Sequence, residues 1–244
     1  MHGIVDLGDG KMLLGTHNGI YSMTTAGNVT GPVGGNDFDA MGITGNKVVQ
    51  YSSGHPGPKT PAEFGSPSLG ILRSVDAGKS WAPVAFNGTE DFHVLTAISS
   101  KAMYGIGSSS AALRRSLDDG MTWSDGPAIE AVDFAFTSSG SLFAATSTGL
   151  QVSQDQGATF NPAKGAPTLY SIASAQNDGL IGVDVNDVLW RLDKKEWKKF
   201  GAASGTVEAL IETSAGAVVL VDDRGVVLIQ GDQVKVIYST SMAH

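Results

Sequence analysis

Four histidines, His2, His17, His55 and His93, are the side chains of this sequence best suited to chemistry, and Asp39 is the carboxylate that accompanies them. Imidazoles with carboxylates are the usual ligands of zinc, copper and non-haem iron, and such ions need several convergent donors rather than a fixed sequence spacing. The metal set expected here is therefore His2, His17, His55, His93 and Asp39. The same groups can move protons, with an imidazole as base and a carboxylate orienting it. Glycoside hydrolysis needs only two carboxylates, for which Asp39 and Glu208, or Glu90, Asp91 and Asp37 nearby, are candidates. A fourth reading has these polar side chains hydrogen-bonding one another around a wet channel. His244, the C-terminal residue, adds nothing.

Whether these residues converge depends on the elements that carry them, and a repeat identifies those elements. Ser74-Val75-Asp76-Ala77-Gly78-Lys79-Ser80-Trp81, Ser116-Leu117-Asp118-Asp119-Gly120-Met121-Thr122-Trp123 and Ser153-Gln154-Asp155-Gln156-Gly157-Ala158-Thr159-Phe160 share the pattern Ser-x-Asp-x-Gly-x-Ser/Thr-aromatic. Their aspartates are 42 and then 37 residues apart, and a worn fourth copy around Asp193 and Trp197 follows 38 residues later. Periods of this size mark propellers and other repeat arrays. The roles expected of Asp76, Asp118 and Asp155 are structural: the carboxylate accepts turn N–H groups, glycine supplies a positive φ, and the aromatic anchors the hairpin.

Around each such turn run four short strands, clearest at Ala131–Phe136, Leu142–Thr146, Gly149–Ser153 and Ala158–Pro162, with Gly- and Ser-rich connections. First strands are expected at His2–Leu7, Phe38–Thr44, Phe92–Ile98, Ala131–Phe136, Leu169–Ser174 and Val207–Glu212. The fold class is thus all-β: one six-bladed β-propeller of four-stranded antiparallel blades, spanning approximately 1–36, 37–90, 91–129, 130–167, 168–205 and 206–240. No strand is left over for exchange, so blade six is expected to close on blade one face to face.

Because strands alternate in direction, the four histidines fall at one end of their blades and the Ser-x-Asp-x-Gly turns at the other. Aligning first strands by apolar pattern places His2, Asp39, His93, Val132, Tyr170 and Glu208 at one equivalent position. The loop from Gly54 to Ser68 carries four prolines between the second and third strands of blade two. Its length and restricted backbone predict an ordered lid or rim, and Phe38, Phe64, Phe92 and Tyr170 offer a rim for a sugar or peptide.

The formal charge is −8, the pI is near 5.0, and no stretch gathers basic residues into a phosphate-neutralising stripe, which argues against nucleic acid. The cluster Lys194, Lys195, Lys198 and Lys199 encloses Glu196 and reads as a solvated hairpin. With no cysteine, disulfides and thiolate sites are excluded. No apolar run approaches the ~20 residues that span a bilayer.

The three Ser-x-Asp-x-Gly repeats resemble the Asp-box of the bacterial-neuraminidase-repeat propellers. Together with His2-Gly3-Ile4, Gly15-Thr16-His17-Asn18-Gly19-Ile20-Tyr21, Ser53-Gly54-His55-Pro56 and Asp91-Phe92-His93, the chain resembles small exported bacterial propellers labelled glycosyl-hydrolase-like or sialidase-like. That resemblance implies an extracytoplasmic or cell-surface protein after removal of a leader, with a small-molecule, glycan or protein ligand. Sialidases bind a sugar carboxylate through three arginines, one from an Arg-Ile-Pro motif that this chain lacks. Its arginines are Arg73, Arg114, Arg115, Arg191 and Arg224, the first four in third strands, so exo-sialidase activity is not expected. Three functions stay open: a ligand-binding propeller using a metal ion, another glycoside hydrolase of the sialidase-like superfamily, and a docking scaffold.

Overall fold

The structure is a computed structural model and describes residues 1–97 and 101–239. It contains six four-stranded antiparallel sheets in chain order, each strand paired with its neighbour in sequence. Each sheet is a blade of a six-bladed β-propeller. The chain divides into two compact units, Met1–Ala128 and Ile129–His244.

The first unit holds three sheets. They comprise β1 Gly3–Gly8, β2 Lys11–Thr16, β3 Gly19–Thr24 and β4 Val29–Thr30; β5 Asp39–Gly45, β6 Gln50–His55, β7 Ile71–Ser74 and β8 Ala82–Ala85; and β9 Phe92–Ala97, β10 Met103–Gly107, β11 Ala112–Ser116 and β12 Ser124–Ala128. Alternating side chains fill its interior. Leu13, Ile20, Phe38, Leu69, Leu72 and Trp81 form one buried cluster, and Tyr51, Ile71, Phe92 and Met103 form another. Burial of such apolar surface is the main term holding sheets face to face.

The second unit repeats the plan. Its strands are β13 Ala131–Phe136, β14 Leu142–Thr146, β15 Gly149–Ser153 and β16 Asn161–Pro162; β17 Leu169–Ala175, β18 Gly179–Asp184, β19 Val188–Asp193 and β20 Glu196–Ala202; and β21 Ala209–Glu212, β22 Val218–Asp222, β23 Gly225–Gln230 and β24 Gln233–Tyr238. First strands begin one or two residues later than expected in three sheets, so His2 and Glu208 stand just ahead of β1 and β21. Ile98 lies outside the described residues.

The repeated turns follow the expected local chemistry. In the first, Ser80 donates its N–H and its hydroxyl to Asp76, at 2.9 and 2.6 Å, and the Ser74 hydroxyl donates to Asp76 while accepting from Gly78 N–H. Thr122 and Thr159 treat Asp118 and Asp155 in the same way. The glycines take positive φ, and so do the residues before them, Ala77, Asp119 and Gln156. Trp81 and Trp123 donate their indole N–H to the carbonyls of Gly78 and Gly120.

The supposed fourth copy is different. Lys194 and Lys195, both at positive φ, make a two-residue hairpin between β19 and β20, with Asp193 paired to Glu196. Lys198 reaches Asp193 and Glu196 on its exposed surface, as a solvated hairpin would. Among the described residues no helix is long and apolar enough to cross a membrane.

Candidate metal centre

In the first unit the strand registers place all four histidines away from the Ser-x-Asp-x-Gly turns. In the second sheet Asp39 pairs with His55 at one end of the β5–β6 ladder, whereas Gln50 pairs with Ser74, where the turn begins, at the other. In the third sheet Phe92 pairs with Gly107 at one end, and Met103 pairs with Ala97 and Ser116 at the other.

The histidines do not form the single set that the sequence suggested. They divide into two triads, His2–His17–Asp39 and His55–Asp91–His93, each with one donor atom per residue lying within 4.8 Å of the others. The first joins the first sheet to the second. His17 Nδ1 lies 3.3 Å from His2 Nε2 and 3.0 Å from Asp39 Oδ2. The second triad joins the second sheet to the third. Asp91 Oδ2 lies 2.7 Å from His93 Nε2 and 3.6 Å from His55 Nε2.

Donor atoms bound about 2.1 Å from a tetrahedral ion sit roughly 3.4 Å from one another. The 3.0, 3.3 and 3.6 Å separations lie near that value, while the 2.7 Å contact is a hydrogen bond that a metal would have to replace. The His17, His55 and His93 side chains are 63%, 44% and 51% exposed, so both groups face solvent.

Asp91 was not in the expected metal set, yet it is the best-prepared ligand of the six. Its side chain is only 5% exposed. Burial pushes its carboxyl up, but hydrogen bonds from Ser108 and His93 and the neighbouring imidazoles outweigh this and hold it below the ordinary carboxylate value. A buried anion is thereby kept charged beside two imidazoles.

His55 Nδ1 lies 3.2 Å from the carbonyl of Pro67. Because a carbonyl can only accept, Nδ1 carries the proton, and in the neutral ring Nε2 then presents a lone pair. Nε2 faces the Asp91 carboxylate, so a second ring proton or a bound cation has to lie between them. A metal ion would replace that proton, and a carbonyl behind a ligating histidine is the usual way of fixing its tautomer.

The loop that supplies Pro67 is ordered, as its prolines implied. Asp37 accepts the N–H of Lys59 at 2.8 Å and the hydroxyl of Thr60 at 3.2 Å, and Asn87 donates to the carbonyls of Phe64 and Leu69. Gly54, at φ 149°, precedes His55 where a Cβ would meet the Asp39 carbonyl at 1.9 Å, so the two ladder partners approach closely only because this residue is glycine.

Several other expectations are corrected by burial and register. Phe38, Phe64 and Phe92 are 1%, 6% and 0% exposed, so they belong to the core and form no rim. Tyr170, in the second unit, accepts the N–H of Val207 through its hydroxyl oxygen. The equivalence of Asp39 with His93 also fails. Single extra residues bulge β5 at Met41, β9 at His93, β13 at Val132 and β17 at Tyr170, so register matches Asp39 with Asp91.

Of the candidate catalytic carboxylates, Asp39 belongs to the first triad, and Glu208 belongs to the second unit, its N–H donating to the Val221 carbonyl. Glu90 accepts from Ser109 and pairs with Arg114, and Asp37 anchors the loop, so both have structural partners. Arg191 and Arg224 are likewise paired, with Glu212 and Asp222.

No known family profile matches the chain, and neither does any curated protein. Solved structures do resemble it. A structure described as YCF48 bound to D1 peptide aligns at 14% identity and TM-score 0.56, over 95% of this chain and 79% of that one. A gluconolactonase from Xanthomonas campestris aligns at 10% identity and TM-score 0.66, over 90% and 82%. The WD40 beta propeller domain of Doa1 aligns at 12% identity and TM-score 0.58, over 96% and 81%. At such identities the likeness establishes the propeller fold alone, a fold shared by enzymes and by proteins that bind partners.

Proposed function

We propose that this chain is an extracytoplasmic propeller of the Asp-box kind that binds divalent transition-metal ions at the histidine-bearing end of its first unit, one ion per triad, and uses them to hold a ligand. The observation that carries this reading is the His55–Asp91–His93 group. A buried carboxylate held below its ordinary value, with His93 Nε2 at 2.7 Å and His55 Nε2 at 3.6 Å, is a donor arrangement that a cation satisfies. The His2–His17–Asp39 group repeats the donor set beside it.

Two imidazoles and a carboxylate suit zinc, copper or iron, and three protein donors leave a coordination position for solvent or ligand, as in catalytic rather than structural sites. The Asp-box assignment is supported by three turns of one pattern with one hydrogen-bonding scheme. The peptide and enzyme relatives of this fold are in keeping with a rigid frame that carries its site on one end.

Metal analysis of tag-free protein, stripped with chelator and reconstituted, tests the reading. Two equivalents of zinc, copper or iron are expected per chain, falling to one in His17→Ala and one in His93→Ala. Substoichiometric metal that neither substitution changes would overturn it.

A further inference from the structure

We infer that the two metal-loaded triads act as one anion receptor, binding a phosphoryl group, free or esterified, through an oxygen on each ion. This inference rests on the metal reading above and names the ligand class of that same site.

The two triads are joined by a ladder pair. Asp39 of the first and His55 of the second are register partners across β5 and β6. The Cβ atoms of directly opposite residues lie about 4.5–5.5 Å apart. The two groups therefore meet at one end of the second sheet, where this pair is fixed by the β5–β6 ladder and by the Pro67 tie to His55.

Charge then selects the ligand. Each triad has one carboxylate and two neutral imidazoles, so a divalent ion in either leaves one unit of positive charge. Two such centres side by side repel one another, in a chain whose formal charge of −8 already includes the two triad carboxylates. Each ion also has a coordination position the protein does not fill, and half-exposed imidazoles leave those positions open to solvent. A dianion with oxygens spaced to reach both ions neutralises the excess charge and supplies both missing donors. Tetrahedral phosphoryl groups are the hard, multiply charged ligands that paired ions clamp most effectively.

Linkage gives the inference its signature. If phosphate binds better when both ions are present, phosphate must strengthen binding of the second ion by the same factor. Cobalt(II) is the probe, since its visible absorption reports the coordination sphere, and inorganic phosphate is the anion. The expected result is two cobalt ions per chain, a phosphate-dependent change in the cobalt spectrum, and about tenfold tighter binding of the second ion in phosphate, within the usual range of coupling. In His17→Ala and in His93→Ala, each at an exposed position, one cobalt remains and phosphate binding weakens by about the same factor.

Two cobalt ions with no response to phosphate would overturn the inference and leave the metal reading standing. Undiminished phosphate binding in either single-triad variant would also overturn it, by showing that one ion suffices. Failure to bind cobalt at all would remove the reading on which it rests.

Discussion

Asp91 is the residue on which the second triad turns, because it is the buried charge that the two imidazoles face. Replacing it by asparagine keeps the shape and the hydrogen bond from Ser108 but removes the negative charge that an ion would neutralise. Asp91→Asn is expected to weaken zinc at one of the two sites by about tenfold or more, in line with other losses in a ligand shell, and to leave the other site unchanged. A two-site calorimetric titration reads this directly, and equal loss at both sites would mean that the triads are not separate donor sets. Asp91 stood among the candidate carboxylates but not in the expected metal set, because its partner His55 comes from another sheet, 36 residues earlier. Its neighbour His93 drew attention by residue type, whereas an aspartate beside a strand is ordinarily a turn residue.

At the scale of elements, the Ser-x-Asp-x-Gly turns were the most legible part of the chain. The side-chain bonds of the repeated serine and aspartate run between residues at most four apart, so spacing alone specifies that geometry. Their electrostatics yield a pH dependence. The hydroxyl and N–H of Ser80 lower Asp76 to about 2, and those of Thr159 lower Asp155 to about 2, against an ordinary value of 3.8. A depressed carboxyl stabilises the fold above its unfolded value and loses that contribution as the pH falls toward its folded one. The thermal midpoint is therefore expected to drop between pH 4 and pH 2, and to drop less in Asp155→Asn; identical acid profiles for both proteins would contradict the assignment. The β-bulges were not legible. The bulges at Met41 and His93 are equivalent and set Asp39 against Asp91, whereas the apolar pattern matches Phe38-Asp39 to Phe92-His93. The aromatic rim failed for a related reason: alternation shows that Phe38 and Phe92 share a face with their neighbours, not that the face is covered.

For the whole chain, the repeat and the strand pattern together were enough to anticipate six four-stranded sheets, since each blade is a local meander. What the repeat conceals is that the blades are unequal. The fourth and fifth sheets have Glu130 and Thr168 where the second and third have Asp39 and Asp91, and Val132 and Tyr170 where the third has His93. Among the described residues the donor sets therefore lie in the first unit. The most direct test of this account is nitrogen NMR of the histidine rings in protein titrated with zinc. The account predicts that His2, His17, His55 and His93 change together, saturating at two equivalents, with His55 keeping its proton on Nδ1, while His244 stays unmoved. Ring signals that ignore zinc, or a His55 that keeps its proton on Nε2, would contradict it.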